Sequence, residues 1–264
     1  MAFVRINGVL LHYRLAGPAA APVLALVNSL GTDARIWDEV IDRLSSDYRI
    51  LSYDKRGHGL SDTPAGDYAL GDHVKDLLGL LDHLGIAKLA LAGVSVGGLI
   101  AQGLALRTPG RLTALVLCDT AAKLGDTDGW NARIQAVDSQ GLSAIADVVM
   151  DRWFSAEFQQ SRPDVLAGWR NLFLRSDAAG YVRTCATLRD TDLRGSIGAI
   201  VTPTLVVAGE ADMSTPVDLV RGCANAIAGA RFEILPGVGH IPSIEQPAAL
   251  AELIGPFLKE TLHG

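Results

Sequence analysis

Runs that are apolar at nearly every position, VLALV (23–27), LALAGV (89–94), LTALVLC (112–118) and TLVVAG (204–209), are separated by segments whose apolar residues recur every three or four positions. A continuously apolar run suits a strand covered on both faces, and the longer period suits a helix with one buried stripe. Ile36, Trp37, Val40, Ile41 and Leu44 predict a helix behind a cap at Thr32 or Asp33. Val74, Leu77, Leu78, Leu81 and Leu84 predict a second that ends at Gly85. FVRI and LLHYRLA read as an opening strand pair around an Asn7-Gly8 turn, and RILSY (49–53) and RFEIL (231–235) read as further strands. This alternation predicts an α/β fold built on a mostly parallel sheet.

From about residue 122 to 197 the alternation stops. Ile145, Val148 and Val149, then Val165, Leu166, Trp169, Leu172 and Phe173, carry helical periods with no strand between them. The expected organisation is therefore a core of residues 1–121 and 198–264 with a helical insertion at 122–197. After the insertion a helix is expected from Pro216 to about Ala228, and another from Pro247, which Gly255-Pro256 should bend or break.

Composition narrows the functional classes. With 264 residues, 49% of them hydrophobic, the chain can bury a large single core. A net charge of −6 offers no basic field for nucleic acid or an anionic membrane, so neither partner is expected. Cys118, Cys185 and Cys223 are widely spaced and odd in number, which suits reduced, buried thiols. The N-terminal stretch is interrupted by Arg5, His12 and Arg14 and lacks a secretory core, giving an expectation of cytoplasmic location. Residues 89–106 have the apolarity of a membrane span, but four glycines suit a buried strand, a tight elbow and a closely packed helix instead.

That elbow carries the candidate chemistry. Gly93-Val94-Ser95-Val96-Gly97 matches G-x-S-x-G between a strand and a helix, the context in which the serine becomes an exposed nucleophile. A serine hydroxyl needs a base, and the base needs a carboxylate to fix its tautomer. His240, after RFEIL, is the expected base. Asp212, after TLVVAG, is the preferred acid, with Glu210 two residues away as the alternative. Acyl transfer also needs two preorganised N–H donors, one from the residue after the nucleophile, Val96, and one from the loop after an earlier strand. Asn28-Ser29-Leu30-Gly31 is that loop, and Leu30 N–H is the candidate. His12, His73, His83 and His263 read as structural or solvated, whereas His58 on a strand-end loop stays open. No histidine has metal-ligand spacing, so no metal is expected.

With NSLGTD, DKRGHGLSD, GVSVGG, GEAD and GHIPSIEQP in order, the chain resembles the α/β-hydrolase superfamily over nearly its whole length. More narrowly it is similar to the 3-oxoadipate enol-lactonases, on NSLG in the first loop, RWF (152–154), Cys118-Asp119-Thr120-Ala121-Ala122, and Trp130 with Arg133; Val96 stands where that group often has Met. The resemblance implies an eight-stranded sheet with helices on both faces and a helical cap. It further implies hydrolysis of 3-oxoadipate enol-lactone in aromatic catabolism through an acyl-enzyme, with no cofactor and a carboxylate-bearing lactone as the small-molecule partner. Such a substrate needs a cation, and within the cap Arg133 beside Trp130, then Arg152 beside Trp153, are the candidate contacts. The rival readings are a general carboxylesterase or perhydrolase, a C–C bond hydrolase, and a non-catalytic receptor. A dehalogenase would need a carboxylate where Ser95 stands.

Overall fold

A computed structural model describes residues 1–263. Its strands are β1 (Ala2–Ile6), β2 (Val9–Ala16), β3 (Val23–Val27), β4 (Arg49–Tyr53), β5 (Leu89–Val94), β6 (Leu112–Cys118), β7 (Thr204–Gly209) and β8 (Arg231–Leu235), joined in one sheet of order β1-β2-β4-β3-β5-β6-β7-β8. β1–β2 and β2–β4 pair antiparallel, and every other pairing is parallel. Asn7 and Gly8 both take positive φ, as a two-residue turn between twisted strands requires.

Helices α1 (Asp38–Leu44), α2 (Leu70–His83) and α3 (Val96–Arg107) alternate with the strands. Five more, α4 (Thr127–Gln140), α5 (Ala146–Trp153), α6 (Ala156–Ser161), α7 (Pro163–Leu174) and α8 (Ala178–Asp190), fill the interval between β6 and β7. The chain closes with α9 (Val217–Ala226), α10 (Pro242–Glu245) and α11 (Pro247–His263). The central strands β5 and β7 are buried at every position, the condition anticipated from their unbroken apolar runs. α3 is apolar around most of its circumference and correspondingly buried, so the 89–106 run is core strand plus core helix. Among the described residues no helix is long and apolar enough to cross a membrane.

Two local expectations are corrected. The helix after NSLG begins as a 3₁₀ turn, Ala34–Trp37, because Asp33 caps Arg35 N–H and Ile36 N–H bonds back to Asp33 O at 3.3 Å; α1 proper starts at Asp38. The closing helix is not broken at Gly255-Pro256: α11 runs through Pro256. Ile254, Phe257 and Leu258 on either side of it are buried in the core, and that packing outweighs the single backbone bond proline removes.

Candidate active site

Ser95 sits between β5 and α3 with φ 59° and ψ −119°, a strained conformation for a non-glycine residue. The elbow closes only because its neighbours lack side chains. A Cβ on Gly93 would lie 2.3 Å from Gly97 C, and one on Gly97 would lie 2.4 Å from Val27 O and 3.0 Å from Asn28 O. The second contact also shows that the start of α3 abuts the chain leaving β3. The sharp turn leaves Ser95 at the N-terminal end of α3, where the helix field favours developing negative charge.

At the ends of β7 and β8, the Asp212 carboxylate and the His240 ring meet: Oδ2 lies 2.8 Å from Nδ1, and both residues are buried. Asp212 Oδ1 accepts from Ser214 N (2.6 Å) and Thr215 N (3.1 Å), while Oδ2 also accepts from Thr215 Oγ1. Burial alone would raise the Asp212 carboxyl, but the charge and hydrogen bond of His240 and the donors of Thr215 outweigh it and hold the group below the ordinary carboxylate range. Glu210 is directed elsewhere, accepting Gly237 N–H at 2.9 Å in an exposed position. The loop carrying His240 is tied down by His240 N–H to Trp153 O (2.8 Å) and Gly239 N–H to Glu245 Oε1 (2.9 Å). The structure thus joins Asp212 to His240 but records no hydrogen bond from Ser95 Oγ to His240 Nε2. Such bonds are commonly long in substrate-free enzymes.

The NSLG loop is fixed from its buried side. Gly31 N–H donates to His58 Nε2 at 3.0 Å, so His58 is a support of this loop, and burial, with the charge of Lys55, keeps its ring neutral. Lys55 Nζ donates to Ser29 O at 2.6 Å. Neither Leu30 N–H nor Val96 N–H is bonded to another protein group among the described residues. Asp119, at the end of β6, is fully buried with φ 46° and accepts Gly209 N–H at 2.7 Å. Burial and then the charge of Asp212 push its carboxyl well above the ordinary range. Sequence reading noted Asp119 only as part of a shared segment and gave no role to Lys55 or Thr215. Their partners lie in other parts of the chain, and no local pattern announces them.

In the helical segment, Arg133 stacks over Trp130, its Cζ 5.2 Å from the ring centroid, and Nη1 reaches Tyr181 Oη at 3.5 Å. The i,i+3 spacing produces this contact, and Trp130 Nε1 anchors the ring by donating to Leu124 O at 2.7 Å. No carboxylate lies within ion-pair distance of Arg133 among the described residues, whereas Arg170, Arg189 and Arg194 all have acidic partners. Tyr181 packs edge-on to Phe173, and both rings lie against Gly31. Trp153 is buried, edge-on to Phe173 at 5.6 Å; Arg152 beside it is exposed. A separate cavity of about 680 Å³ lies between β2, residues 33–35 and α7. Neither Ser95 nor His240 lines it, and two of its arginines are committed, Arg14 to Asp38 and Arg35 to Asp33.

Comparison with known proteins agrees with this architecture. A curated relative, 3-oxoadipate enol-lactonase 2 of Acinetobacter baylyi, is 36% identical over 251 residues, covering 95% of this chain and 94% of that protein. A crystal structure of the enol-lactonase from Burkholderia xenovorans superposes with a TM-score of 0.95 at 38% identity, over 98% of this chain and 100% of that one. A Variovorax paradoxus protein bearing the name carbamate hydrolase RutD is 28% identical, over 94% of this chain and 96% of its own length. The model of the alpha/beta hydrolase family matches residues 24–253, and with that match spanning most of its length the chain belongs to the α/β-hydrolase family.

Proposed function

We propose that the protein hydrolyses an enol-lactone bearing a free carboxylate, 3-oxoadipate enol-lactone being the specific candidate. Ser95 is the nucleophile, His240 the base, Asp212 the residue that orients it, and Leu30 and Val96 N–H hold the oxyanion. Ser95 Oγ bonds to the lactone carbonyl carbon as its proton passes to His240 Nε2. The ring C–O bond then breaks, and the enolate oxygen takes that proton from His240 before the enol becomes a ketone. Water, deprotonated by the same ring, splits the acyl-enzyme and returns the proton to Ser95. Asp212, ionised and bonded to Nδ1, holds the tautomer that leaves Nε2 free.

The observation that carries the substrate class is Arg133. Its guanidinium rests on Trp130, has no acidic partner among the described residues, and is separated from Gly31 by the single ring of Tyr181. Burial raises the Tyr181 phenol, so the hydroxyl is a protonated donor beside that cation. A guanidinium and a phenol one aromatic ring from the oxyanion loop suit a small acyl compound with an acidic arm. The relatives named as enol-lactonases support the same choice, and the helices of 122–197 act as the cap that supplies this anchor.

The test is purified protein with freshly prepared enol-lactone beside p-nitrophenyl acetate and a carbamate. A kcat/KM for the lactone in the ordinary enzyme range of about 10⁴ M⁻¹s⁻¹ or more, and at least about 100-fold above the neutral ester, supports the reading. Equal turnover of neutral ester and lactone points instead to a general carboxylesterase, and a preference for the carbamate aligns the chain with its more distant relative.

A further inference from the structure

Each of the two amides assigned to the oxyanion belongs to a peptide unit whose carbonyl is bonded from behind by a buried side chain. The plane that carries Leu30 N–H also carries the Ser29 carbonyl, which accepts from Lys55 Nζ at 2.6 Å, Thr32 Oγ1 at 2.9 Å and Asn28 Nδ2 at 3.3 Å. The plane that carries Val96 N–H carries the Ser95 carbonyl, which accepts from Thr120 Oγ1 at 2.7 Å and Leu99 N at 3.1 Å. A carbonyl oxygen has two lone pairs, so the third donor on Ser29 exceeds what satisfaction requires.

Lys55 is also costly where it stands. It is 1% exposed, and no carboxylate lies within ion-pair distance of it among the described residues; burial pushes its ammonium well below the ordinary lysine range, and the charges of Asp54 and Asp33 oppose that only through space. A buried ammonium without a contacting counter-charge is rare because it forfeits hydration. Packing the space with an apolar side chain would stabilise the fold more, so the ammonium calls for a reason outside stability.

We propose that Lys55 and Thr120 are positioning residues that polarise the two oxyanion amides through their own peptide bonds. Donation to a peptide oxygen draws electron density toward that oxygen and leaves the N–H at the other end of the unit more positive, the cooperative effect of chained hydrogen bonds. An ammonium does this more strongly than a hydroxyl, and the charges of Asp54 and Asp33 favour that ammonium against burial, so Lys55 contributes more than Thr120. The neighbouring Gly31 N–H is consumed by His58, which leaves Leu30 N–H as the loop's donor to the site. Because full negative charge forms only in the tetrahedral state, the benefit falls on kcat and leaves KM alone. This inference rests on the oxyanion assignment made above.

The sequence provides a direct reporter. Ser-Leu occurs only at 29–30 and Ser-Val only at 95–96, so protein with carbonyl-¹³C serine and ¹⁵N leucine and valine gives one identifiable amide signal for each donor. The probe is diethyl p-nitrophenyl phosphate: Ser95 Oγ bonds to phosphorus, p-nitrophenolate leaves, the serine proton goes to His240, and a phosphoryl oxygen takes the oxyanion position. In the wild type both amide protons should move downfield on adduct formation. Lys55→Met, which keeps length and leaves Ser29 O two donors, should shrink the Leu30 movement and not that of Val96. Thr120→Val should do the reverse. On p-nitrophenyl acetate, kcat should fall about tenfold for Lys55→Met and about threefold for Thr120→Val, fractions of the 10²–10³ that follow loss of a whole donor, with KM changed by less than about twofold.

If Ser95 is not phosphorylated, or if the wild-type adduct moves neither amide, the oxyanion assignment fails and takes this inference with it. Both amides moving in the wild type, with Leu30 behaving identically in Lys55→Met and kcat unchanged, overturns polarisation alone. A raised KM with unaltered kcat makes Lys55 a strut for the loop and also overturns it. Should Lys55→Met not fold, the Thr120→Val pair of measurements decides, since that isosteric change leaves Ser95 O bonded to Leu99 N–H.

Discussion

Asp119 and Asp212 are both buried, the charge of Asp212 acts on Asp119, and the pH dependence of stability reports which holds a proton. Asp212 collects Ser214 N–H, both donors of Thr215 and His240, whereas Asp119 has Gly209 N–H on Oδ1 and no partner on Oδ2 among the described residues. A proton on Asp119 removes the like-charge repulsion with Asp212 and the buried, uncompensated charge on Oδ2. Unfolded, Asp119 ionises near the ordinary value of about 3.9; native, it stays protonated well above that. Over that window the native state binds one proton more than the unfolded state, so this group lowers stability by about 1.4 kcal/mol for each unit that pH rises. Asp212 has the opposite sign: its depressed native value contributes stability that is complete above the unfolded value and is lost as pH falls through the native one. At pH 5 to 7, therefore, only Asp119 of this pair contributes a slope. Asp119→Asn cannot ionise, yet its amide oxygen can still accept from Gly209 N–H. Urea titrations at pH 5, 6 and 7 should find the variant gaining on the wild type by about 1.4 kcal/mol per unit until the native carboxyl itself ionises. In thermal melts each kcal/mol corresponds to about 2–4 °C. Turnover should stay within about threefold, since the Ser214, Thr215 and His240 contacts that hold Asp212 are untouched. Parallel pH slopes for the two proteins would refute a protonated Asp119.

Ser95→Ala and His240→Ala should each lower kcat by about 10⁴-fold or more with the fold retained by circular dichroism, and near-normal turnover in either would remove that residue from the proposed triad. Asp212→Asn should be similarly damaging and Glu210→Gln mild, because the Glu210 carboxylate is exposed on Gly237 N–H; the reverse ranking would reassign the acid. Arg133→Ala should cost about 2 kcal/mol in kcat/KM on the acidic lactone and nothing on a neutral ester, with a smaller selective effect for exposed Arg152→Ala; equal losses on both substrates would dissociate the cap from carboxylate recognition. Gly97→Ala, whose Cβ would meet Val27 O at 2.4 Å, should lower stability by about 3 kcal/mol or more, read as a fall in the urea midpoint, and unchanged stability would show that the elbow is less confined than its contacts imply.

What could be read in the sequence was whatever depends on short-range pattern. Strands β3, β5, β6 and β7 are unbroken apolar runs because both faces are covered, and the elbow announces itself through glycines that leave room for Ser95. Position along the chain also suggested His240 and the strand-end loop before it. Chain order made Asp212 the preferred acid but kept Glu210 as an alternative, since both follow β7 within three residues; what separates them is burial and the Ser214 and Thr215 amides, which belong to the folded loop. Lys55 and Asp119 were illegible for a stronger reason. Each is defined by a partner distant in sequence, Ser29 for Lys55 and Gly209 for Asp119, and a lysine in DKRGHG looks like an ordinary loop cation until Ser29 O is found above it. Pro256 misled in the opposite direction, because a local rule about helix breaking was overridden by burial on both sides.

Lys55 and Asp119 share a location and a physical character with Ser95. Ser95 with φ 59°, Asp119 with φ 46° and buried Lys55 all stand at or beside the carboxyl ends of parallel strands, and each is a choice that a sequence selected only for stability would avoid. A strained residue costs about 1–3 kcal/mol, and a buried charge or a carboxyl that must retain its proton adds to that cost. The sheet tolerates the sum because its central strands supply a continuous apolar core on both faces, so the penalty is borne by a rigid frame that does not have to move. Substitutions that relieve it, Lys55→Met at the loop or Asp119→Asn behind the acid, should therefore stabilise the protein, but only the first should slow it. The difference follows from what each group faces: Lys55 acts on a peptide assigned to the oxyanion, whereas Asp119 acts on a carboxylate that other donors already hold.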